Sequence, residues 1–372
     1  MKKKFLSGLM ALAIAIPCAF GLVGCGEDPA DPTTPPATPT HTHSYTSYEY
    51  KVEDGKAYKV ETGCSCEVDT KTELQNYVIA TTTDVLEVIA EAEENKTVVL
   101  TSGDYETIKL IGADSFADGI TILGTTNTRV NGLVVSSGKT AENAAANDAV
   151  SSNLTIENIN FTNDLRVRNC SMDGIKVLNS TFTQGAVVYI RANVYSTPHD
   201  YESENEIFGT EATTASASNF HERASDKLCL IKNVVVEGCD FSGSDEEIED
   251  AEVVIDDQTA IFVGGDAENV TIKNNNIETA EWNGIQLGCK GEVVVENNTM
   301  DDTGSRSMRI VITDADTEMT IANNAMDNSD QAESNSEKIK VTGPAGATVE
   351  CEGNTYAGDA ISTDDQILVS LA

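Results

Sequence analysis

A short pattern of strand and bend residues recurs along the chain and limits its fold more than any other feature. In each copy two apolar residues stand two positions apart, and a position that holds only asparagine or glycine follows two residues later. Alternation with period two predicts a strand with one buried face. The restriction to asparagine and glycine predicts a left-handed backbone bend, which other residues resist. The second apolar residue of each copy is, in chain order, Ile122, Ile156, Val177, Val236, Ile272, Val295, Ile321 and Cys351.

The spacing of the copies predicts a parallel β-helix. Neighbouring copies are 34, 21, 59, 36, 23, 26 and 30 residues apart, which fits one coil per copy with insertions leaving the sides. Next to the bend, asparagines such as Asn298 are expected to stack amide on amide between coils. We therefore predict an all-β fold, a right-handed parallel β-helix solenoid of about eight coils, within residues 84–372.

An amphipathic segment precedes the repeats. Between residues 84 and 92 the apolar residues Val85, Leu86, Ile89 and Ala92 recur with helical spacing. The open end of a solenoid exposes strand edges and needs a cover. We therefore predict an N-terminal capping helix at this position.

With this architecture, residues 84–360 resemble the right-handed, pectate-lyase-like β-helix superfamily. Lyase chemistry of that superfamily implies an arginine or lysine base beside a calcium ion held by carboxylates. The chain lacks the Asn-Thr-Asp, Gly-His-Gly and Arg-Ile-Lys motifs of the hydrolase relatives, so pectin hydrolysis is disfavoured. Candidates for lyase roles are Arg168, Arg191, Arg309, Asp314 and Asp316, with Asp266 as a further carboxylate.

The first residues indicate export. Three lysines precede an apolar run that ends in Leu-Val-Gly-Cys25, which resembles a bacterial lipobox and implies cleavage before Cys25 and lipidation of that residue. An uncleaved transmembrane helix is the alternative. Residues 26–40 are rich in proline and threonine and predict an extended stalk. We expect residues 1–25 to be a lipoprotein signal peptide, and the body to be anchored by lipid on the outer surface of a bacterial membrane.

Residues 41–70 form a small segment with paired metal-binding residue types. His41 and His43 precede Cys64 and Cys66 by about twenty residues, and two nitrogens with two sulfurs suit a tetrahedral zinc ion. The segment is similar to short modules of bacterial surface proteins with His-x-His followed by Cys-x-Cys. A Cys64–Cys66 disulfide, or two unmodified thiols, is the alternative.

Charge and cysteine count exclude some classes of function. The chain has 61 acidic and 24 basic residues, a formal charge of −37, which argues against nucleic-acid binding and against docking by charge on an anionic membrane. Of the nine cysteines, Cys18 is expected to leave with the signal peptide and Cys25 to carry lipid. Because an odd number remains, we do not expect a disulfide framework.

Arginines recur on a second set of strands that follow each bend. If the apolar residues of these strands point inward, one outward face carries four of the seven arginines of the chain. Such a face suits carboxylates or sulfates, whereas neutralisation of neighbouring acids such as Asp164 is the alternative. Trp282 lies in a loop near this face, where its ring is suited to stack on a sugar; simple packing at the loop edge is the alternative. The expected ligand-binding residues are Arg166, Arg168, Tyr189, Arg191, Trp282, Gln286 and Arg309.

These observations leave two functions open. The first is a surface lipoprotein that binds a glycan, including an acidic polysaccharide, or another surface partner. The second is a polysaccharide lyase or other carbohydrate-processing enzyme, in which calcium is the expected cofactor. The two differ in whether carboxylates converge beside one arginine, which the sequence does not tell.

Overall fold

The structure is a computed structural model. It describes residues 44–64, 69–139, 147–192, 229–242, 259–278, 280, 283–301, 303–304, 306–327, 337–361 and 366–372. Residues Ser44–Ala372 form one compact unit. In the described residues this unit is almost entirely β, with one helix. None of the described helices is long and apolar enough to cross a membrane.

The elements follow the predicted strand positions closely. In chain order the first are β1 (Ser47–Glu53), β2 (Lys56–Thr62), β3 (Thr70–Glu73), β4 (Tyr77–Ala80), α1 (Val85–Glu91), β5 (Thr97–Leu100), β6 (Gly103–Tyr105), β7 (Ile108–Ile111), β8 (Thr121–Gly124), β9 (Thr128–Val130), β10 (Leu133–Ser136), β11 (Leu154–Glu157), β12 (Asn160–Phe161), β13 (Leu165–Arg168), β14 (Met172–Leu178), β15 (Thr181–Phe182) and β16 (Val188–Arg191). The others are β17 (Ile231–Glu237), β18 (Asp240–Phe241), β19 (Ile261–Lys273), β20 (Asn276–Ile277), β21 (Asn283–Glu296), β22 (Thr299–Asp301), β23 (Arg306–Ile312), β24 (Glu318–Ala322), β25 (Ala325–Asp327), β26 (Ile339–Gly343), β27 (Thr348–Glu352), β28 (Thr355–Tyr356), β29 (Asp359–Ala360) and β30 (Ile367–Leu371).

Successive strands pair in parallel to form three long ladders, as in a β-helix solenoid. The first ladder runs β4, β5, β8, β11, β14, β17, β19, β21, β24 and β27. The second runs β7, β10, β13, β16, β19, β21, β23, β26 and β30. The third runs from β6 through β9, β12, β15, β18, β20, β22 and β25 to β28, which β29 joins antiparallel.

The core lies between the ladders and is built by the apolar residues of the repeat. Ile156, Val177 and Ile272 have no exposed surface, as period-two alternation requires. Phe161, Phe182 and Phe241, from successive strands of the third ladder, stack ring on ring with centroids 5.0 and 4.7 Å apart.

The bends adopt the expected left-handed conformation with one exception. Positive φ occurs at Asn158, Asn179, Gly238, Asn274, Asn297, Asn323 and Gly353. Gly124, at the equivalent position of the first copy, does not have positive φ. A side chain there would collide with the carbonyl oxygen of Asn158 in the next coil. Glycine is required at that bend by close backbone approach rather than by its φ angle.

The asparagine ladder is confirmed in the buried position after the bends. Each amide nitrogen donates to the Oδ1 atom of the next asparagine at 2.9 Å, in the series Asn275, Asn298, Asn324 and Asn354. The same nitrogen of Asn298 donates to the carbonyl of Ile272 at 3.0 Å. Its Oδ1 also accepts the backbone N–H of Asn275. Every polar atom of the buried Asn298 amide is therefore bonded, which removes the cost of burying it.

Helix α1 lies between β4 and β5, and its apolar face is narrower than predicted. Ile89 is completely buried, and Val85 and Val88 pack against the same core. Leu86 is 47% exposed, so its assignment to the buried face was wrong. The stripe of the helix that faces the core runs through Val85, Val88 and Ile89. Leu86 directly follows Val85 in the chain and therefore lies to one side of this stripe.

A three-stranded antiparallel sheet, which the sequence analysis did not anticipate, packs on the outside of the first ladder. β2 pairs with β1 and β3. Tyr50 and Ala57 of this sheet pack against Val99 and Leu123, which point outward from β5 and β8. The Tyr50 hydroxyl donates to Glu157 at 3.1 Å, and burial followed by the charge of Glu157 raises the pKa of Tyr50.

Candidate functional site

The outward face of the second ladder brings most of the expected ligand-binding residues into one line. The residues that alternate with them, such as Val167, Ile190 and Ile310, are fully buried in the core, so the intervening side chains point outward. Parallel register then stacks one outward side chain from each coil. This outward row consists of Arg166, Tyr189, Phe262, Gln286, Arg309 and Lys340.

The first member of the outward row is held in a buried ion pair. The Nε and Nη2 atoms of Arg166 both donate to Oδ2 of Asp164, at 3.0 and 2.7 Å. The other oxygen of Asp164 accepts the backbone N–H of Val187 at 3.0 Å. Charge neutralisation, one of the two readings of this arginine, is therefore present at Arg166. The pair also fixes the guanidinium against the start of β16.

An aromatic pair lies at the centre of the outward row. The rings of Tyr189 and Phe262 stack with centroids 4.7 Å apart and planes 14° from parallel. The Arg166 guanidinium lies 5.5 Å from the Tyr189 centroid, and that of Arg191 lies 6.0 Å from the Phe262 centroid. Arg191 also donates to the Tyr189 hydroxyl at 3.2 Å. Cations over ring faces at such distances stabilise the arrangement. The two half-buried rings are therefore held nearly parallel to each other.

Besides Arg166, two further arginines expected to face solvent are buried. Arg168 and Arg191 stand opposite each other in register on β13 and β16, one row beyond Arg166 and Tyr189. Arg168 has no exposed surface and Arg191 is 4% exposed. Alternation gives the correct face of the sheet for both, but it does not tell what covers that face. Neither guanidinium therefore forms part of an open surface, and that of Arg191 positions the aromatic pair.

The row ends in an amide and two cations. Oε1 of the buried Gln286 accepts a hydrogen bond from Asn283 at 2.9 Å, and Gln286 stands between Phe262 and Arg309. Arg309 and Lys340 are half-buried, and in the described residues neither is in an ion pair. Burial, and then the positive charge of Arg306, lower the pKa of Arg309. Such a group gains from an anionic ligand that offsets both effects.

Buried polar groups adjoin this end of the row. Asn283 and Ser307 are 1% and 0% exposed. Asn283 Oδ1 and Ser307 Oγ have no hydrogen-bond partner among the described residues. Ser307 lies two residues before Arg309 on the same face of β23. Buried polar atoms are seldom left in this state, but at 1% and 0% exposure neither side chain is accessible to a ligand on the outward row.

The carboxylates considered for lyase chemistry are engaged elsewhere. Asp314 accepts the backbone N–H of Asp316 at 2.9 Å in an exposed turn, and no ion pair joins either to Arg309 in the described part of the chain. Asp266 accepts from Lys290 Nζ at 2.7 Å and from the Thr313 hydroxyl. Among the described residues there is no group of three histidine, cysteine or carboxylate side chains suited to a metal ion.

Several expected site residues lie outside the described residues. These are Cys25, His41, His43, Cys66 and Trp282. Cys64 is described and is buried two residues after the end of β2.

Phe262 was missed by the sequence analysis although its signal was present. It stands between Ile261 and Val263, which are both fully buried, and the same alternation that placed Tyr189 outward applies to it. Asn283 was missed for a different reason. It is the first residue of β21, and no apolar residue of the strand precedes it from which its side of the sheet could be inferred.

Comparison with known proteins places the chain in no family. No family model matches it, and no curated protein matches it. Among solved structures it is similar to one described as the Streptococcus pneumoniae surface protein and adhesin PfbA. The identity is 11% and the TM-score 0.30, over 77% of this chain and 94% of that chain. A likeness of this size identifies neither a family nor a function for the chain.

Proposed function

We propose that this chain is a bacterial surface protein that binds an acidic glycan along the outward row. The observation that carries the proposal is the flat Tyr189–Phe262 pair with Arg309 and Lys340 further along the same line. Aromatic faces provide apolar area with a defined orientation, which suits a sugar ring. Guanidinium and ammonium groups donate to carboxylates or sulfates.

Charge distribution supports an acidic rather than a neutral ligand. The chain carries a formal charge of −37, so an anion is repelled by most of its surface. Asp164 neutralises Arg166, which leaves Arg309 and Lys340 as the cations of the row available to a ligand. A glycan with one acidic group per repeat would meet these two cations in neighbouring coils and the aromatic pair beyond Gln286.

A glycan array with purified protein tests this function. We expect binding to acidic glycans at low salt, and loss of most binding in Tyr189→Ala/Phe262→Ala and in Arg309→Ala. The matched control is Lys176→Ala, which removes an exposed cation from the outward face of the first ladder. Circular dichroism checks that each variant is folded. Absence of acidic-glycan binding by the wild type, or equal losses in the Lys176 and Arg309 variants, contradicts the proposal.

A polysaccharide lyase is the second candidate. The observation that favours it is the half-buried position of Arg309 with no ion pair among the described residues, where burial lowers the pKa of its guanidinium, the direction that an arginine base requires. Ultraviolet absorbance of unsaturated uronates, formed from acidic polysaccharides with added calcium, is the measurement. If the wild type forms unsaturated uronates and Arg309→Lys does not, the protein is a polysaccharide lyase and not only a glycan-binding protein.

Anchoring at the membrane is part of the same proposal. Cleavage before Cys25 is proposed to remove the signal peptide, Cys25 to carry lipid as the new N-terminal residue, and residues 26–40 to act as a stalk. The supporting features are the lipobox-like tetrapeptide and the proline content of the stalk. Mass spectrometry of the membrane-bound protein is expected to show lipid on Cys25, and Cys25→Ser is expected to release the protein.

The finer architecture is also proposed. The parallel pairing of the three ladders and the right-handed preference of parallel crossovers support a right-handed solenoid of about eight coils. The burial of Ile89 in the core supports α1 as its N-terminal cap.

A zinc ion bound by His41, His43, Cys64 and Cys66 is proposed for the segment before β3. Its support is the ligand set and the buried position of Cys64 beside the small antiparallel sheet. Metal analysis of reduced, chelator-free protein is expected to give one zinc per chain. His43→Ala with Cys66→Ser is expected to abolish it, and the absence of zinc from the wild type would end this part of the proposal.

A further inference from the structure

Two buried cysteines occupy equivalent positions in neighbouring coils. Cys170 lies two residues before β14, and Cys229 lies two residues before β17. Met172 pairs in register with Ile231, and the Met172 N–H donates to the carbonyl of Leu230 at 2.8 Å. The Leu230 N–H then donates to the Ser171 hydroxyl at 2.8 Å, so the ladder begins here and each cysteine lies just before it, in neighbouring coils. Both belong to the core and are at most 1% exposed, so both side chains point inward from the same ladder.

The spacing of this pair suits a covalent bond. Neighbouring parallel strands lie about 4.8 Å apart, and disulfides join residues whose Cα atoms are about 4.4–6.8 Å apart. Both residues carry reduced thiols in the structure. The Cys170 thiol donates weakly to the Val135 carbonyl at 3.9 Å. A change of the Cys170 side-chain rotamer would break this weak contact and allow the sulfur to bond to Cys229. Residues 170 and 229 also precede their strands, where the backbone is less constrained than inside a ladder.

We propose that Cys170 and Cys229 form a disulfide that joins these two coils when the protein folds in an oxidising compartment. The oxidant is a second disulfide, carried by a small thiol or by an oxidoreductase. One cysteine thiolate attacks it, forms a mixed disulfide and releases one thiol. The other cysteine then attacks the mixed disulfide and releases the second thiol. Two cysteine thiols are oxidised and one disulfide is reduced to two thiols, so atoms and electrons balance.

The chemistry of the thiols sets the time at which this bond forms. Burial, and then the neighbouring Cys229, raise the pKa of Cys170, so its thiolate is scarce once the core has closed. Oxidation therefore takes place while these coils are still assembling. The bond closes a loop that contains the insertion at 193–228 and also carries β16 with Tyr189 and Arg191. Cross-linking limits the unfolded chain and keeps the two coils that flank the insertion together.

Other buried cysteines provide the internal control. Cys289 is fully buried, but its neighbours in register are Ala267 and Ile312. Cys239 lies next to Ser180 and Asn275 at the equivalent positions of the coils on either side. Neither has a thiol neighbour in the ladder. A disulfide that forms only between Cys170 and Cys229 would therefore show that their positions in neighbouring coils, and not general oxidation of buried cysteines, determine which residues pair.

The test is refolding of the full chain in a glutathione redox buffer, followed by alkylation in denaturant and peptide mass mapping without reduction. We expect a linked peptide pair containing Cys170 and Cys229, lighter by two hydrogens than the separate peptides, with Cys239 and Cys289 alkylated. We expect the oxidised protein to unfold about 5 °C or more above the reduced protein. This difference should disappear in Cys170→Ala and persist in Cys289→Ala.

Alkylation of both Cys170 and Cys229 in the oxidatively refolded wild type overturns the proposal. Linkage of either residue to a different cysteine also overturns it. Both readouts use the wild type, so they hold even if a cysteine variant does not fold.

Discussion

The buried asparagine ladder gives the most direct prediction at the scale of single residues. In Asn298→Leu, the side-chain and backbone donors of Asn275 lose their acceptor, and the carbonyl of Ile272 loses its donor. Each buried group left unpaired costs about 1–3 kcal/mol, so the free energy of unfolding should fall by about 3 kcal/mol or more. Denaturant unfolding measures it. Thr299→Ala, at the exposed neighbouring position, should change stability by less than about 0.5 kcal/mol. Equal losses in the two variants would refute the role of the ladder.

The bends give a second prediction at this scale, in which one position serves as its own control. Asn323 is exposed and has φ 54°. Asn323→Gly keeps this conformation without strain and should change stability by less than about 1 kcal/mol. Asn323→Val places a β-branched side chain in the left-handed region, which should cost about 1–2 kcal/mol. Thermal unfolding of the pair measures the difference, and equal stabilities would mean that the bend tolerates any side chain.

Single residues also show where sequence reasoning reaches its limit. Restriction to asparagine and glycine predicts the left-handed bends because backbone sterics are local. The same restriction at Gly124 has a different cause, a close approach of Asn158 that is 34 residues away in the chain. Alternation likewise gives the outward direction of Arg168, but its complete burial depends on tertiary contacts that no local pattern contains.

At the scale of elements, helix α1 offers a matched pair of substitutions. Ile89 is fully buried in the core, whereas Leu86, one turn away, is 47% exposed. Ile89→Ala should lower the free energy of unfolding by about 2–5 kcal/mol through lost burial and the remaining cavity. Leu86→Ala should change it by less than about 1 kcal/mol, because little area is lost from the folded state. Similar effects of the two substitutions, measured by denaturant unfolding, would argue against α1 as the cover of the first coil.

Elements were predictable where the pattern is periodic and not where docking decides the outcome. The strands of the first ladder follow from the repeat, since each carries an alternating apolar pair. The sheet of β1, β2 and β3 does not follow from any repeat. It is fixed by the contact of Tyr50 with Val99 and Leu123. These two residues are apolar although they lie on the outward face of the first ladder, where alternation predicts polar residues. The candidate site was predictable in its row and direction, while the ion pair of Arg166 with Asp164 was one of two alternatives.

At the scale of the whole molecule, salt is expected to act in opposite directions on stability and on binding. The chain has a formal charge of −37, and its acidic groups repel one another more strongly in the compact folded state than in the unfolded chain. The Debye length falls from about 30 Å at 0.01 M to about 3 Å at 1 M salt. The melting temperature should therefore rise over this range. The attraction of Arg309 and Lys340 for an acidic glycan is screened at the same time, and the dissociation constant should rise by about tenfold.

One titration with sodium chloride measures both effects on the same sample, by thermal unfolding and by binding to the acidic glycan that the array identifies. Arg309→Ala separates them. It removes one charge of many and should keep the rise in melting temperature, whereas its weaker binding should depend less on salt because fewer ion pairs are screened. Sucrose at matched osmolality controls for effects of solutes other than screening. A melting temperature that falls with salt would contradict the self-repulsion argument. A dissociation constant that does not respond to salt would mean that the cations of the outward row take no part in binding.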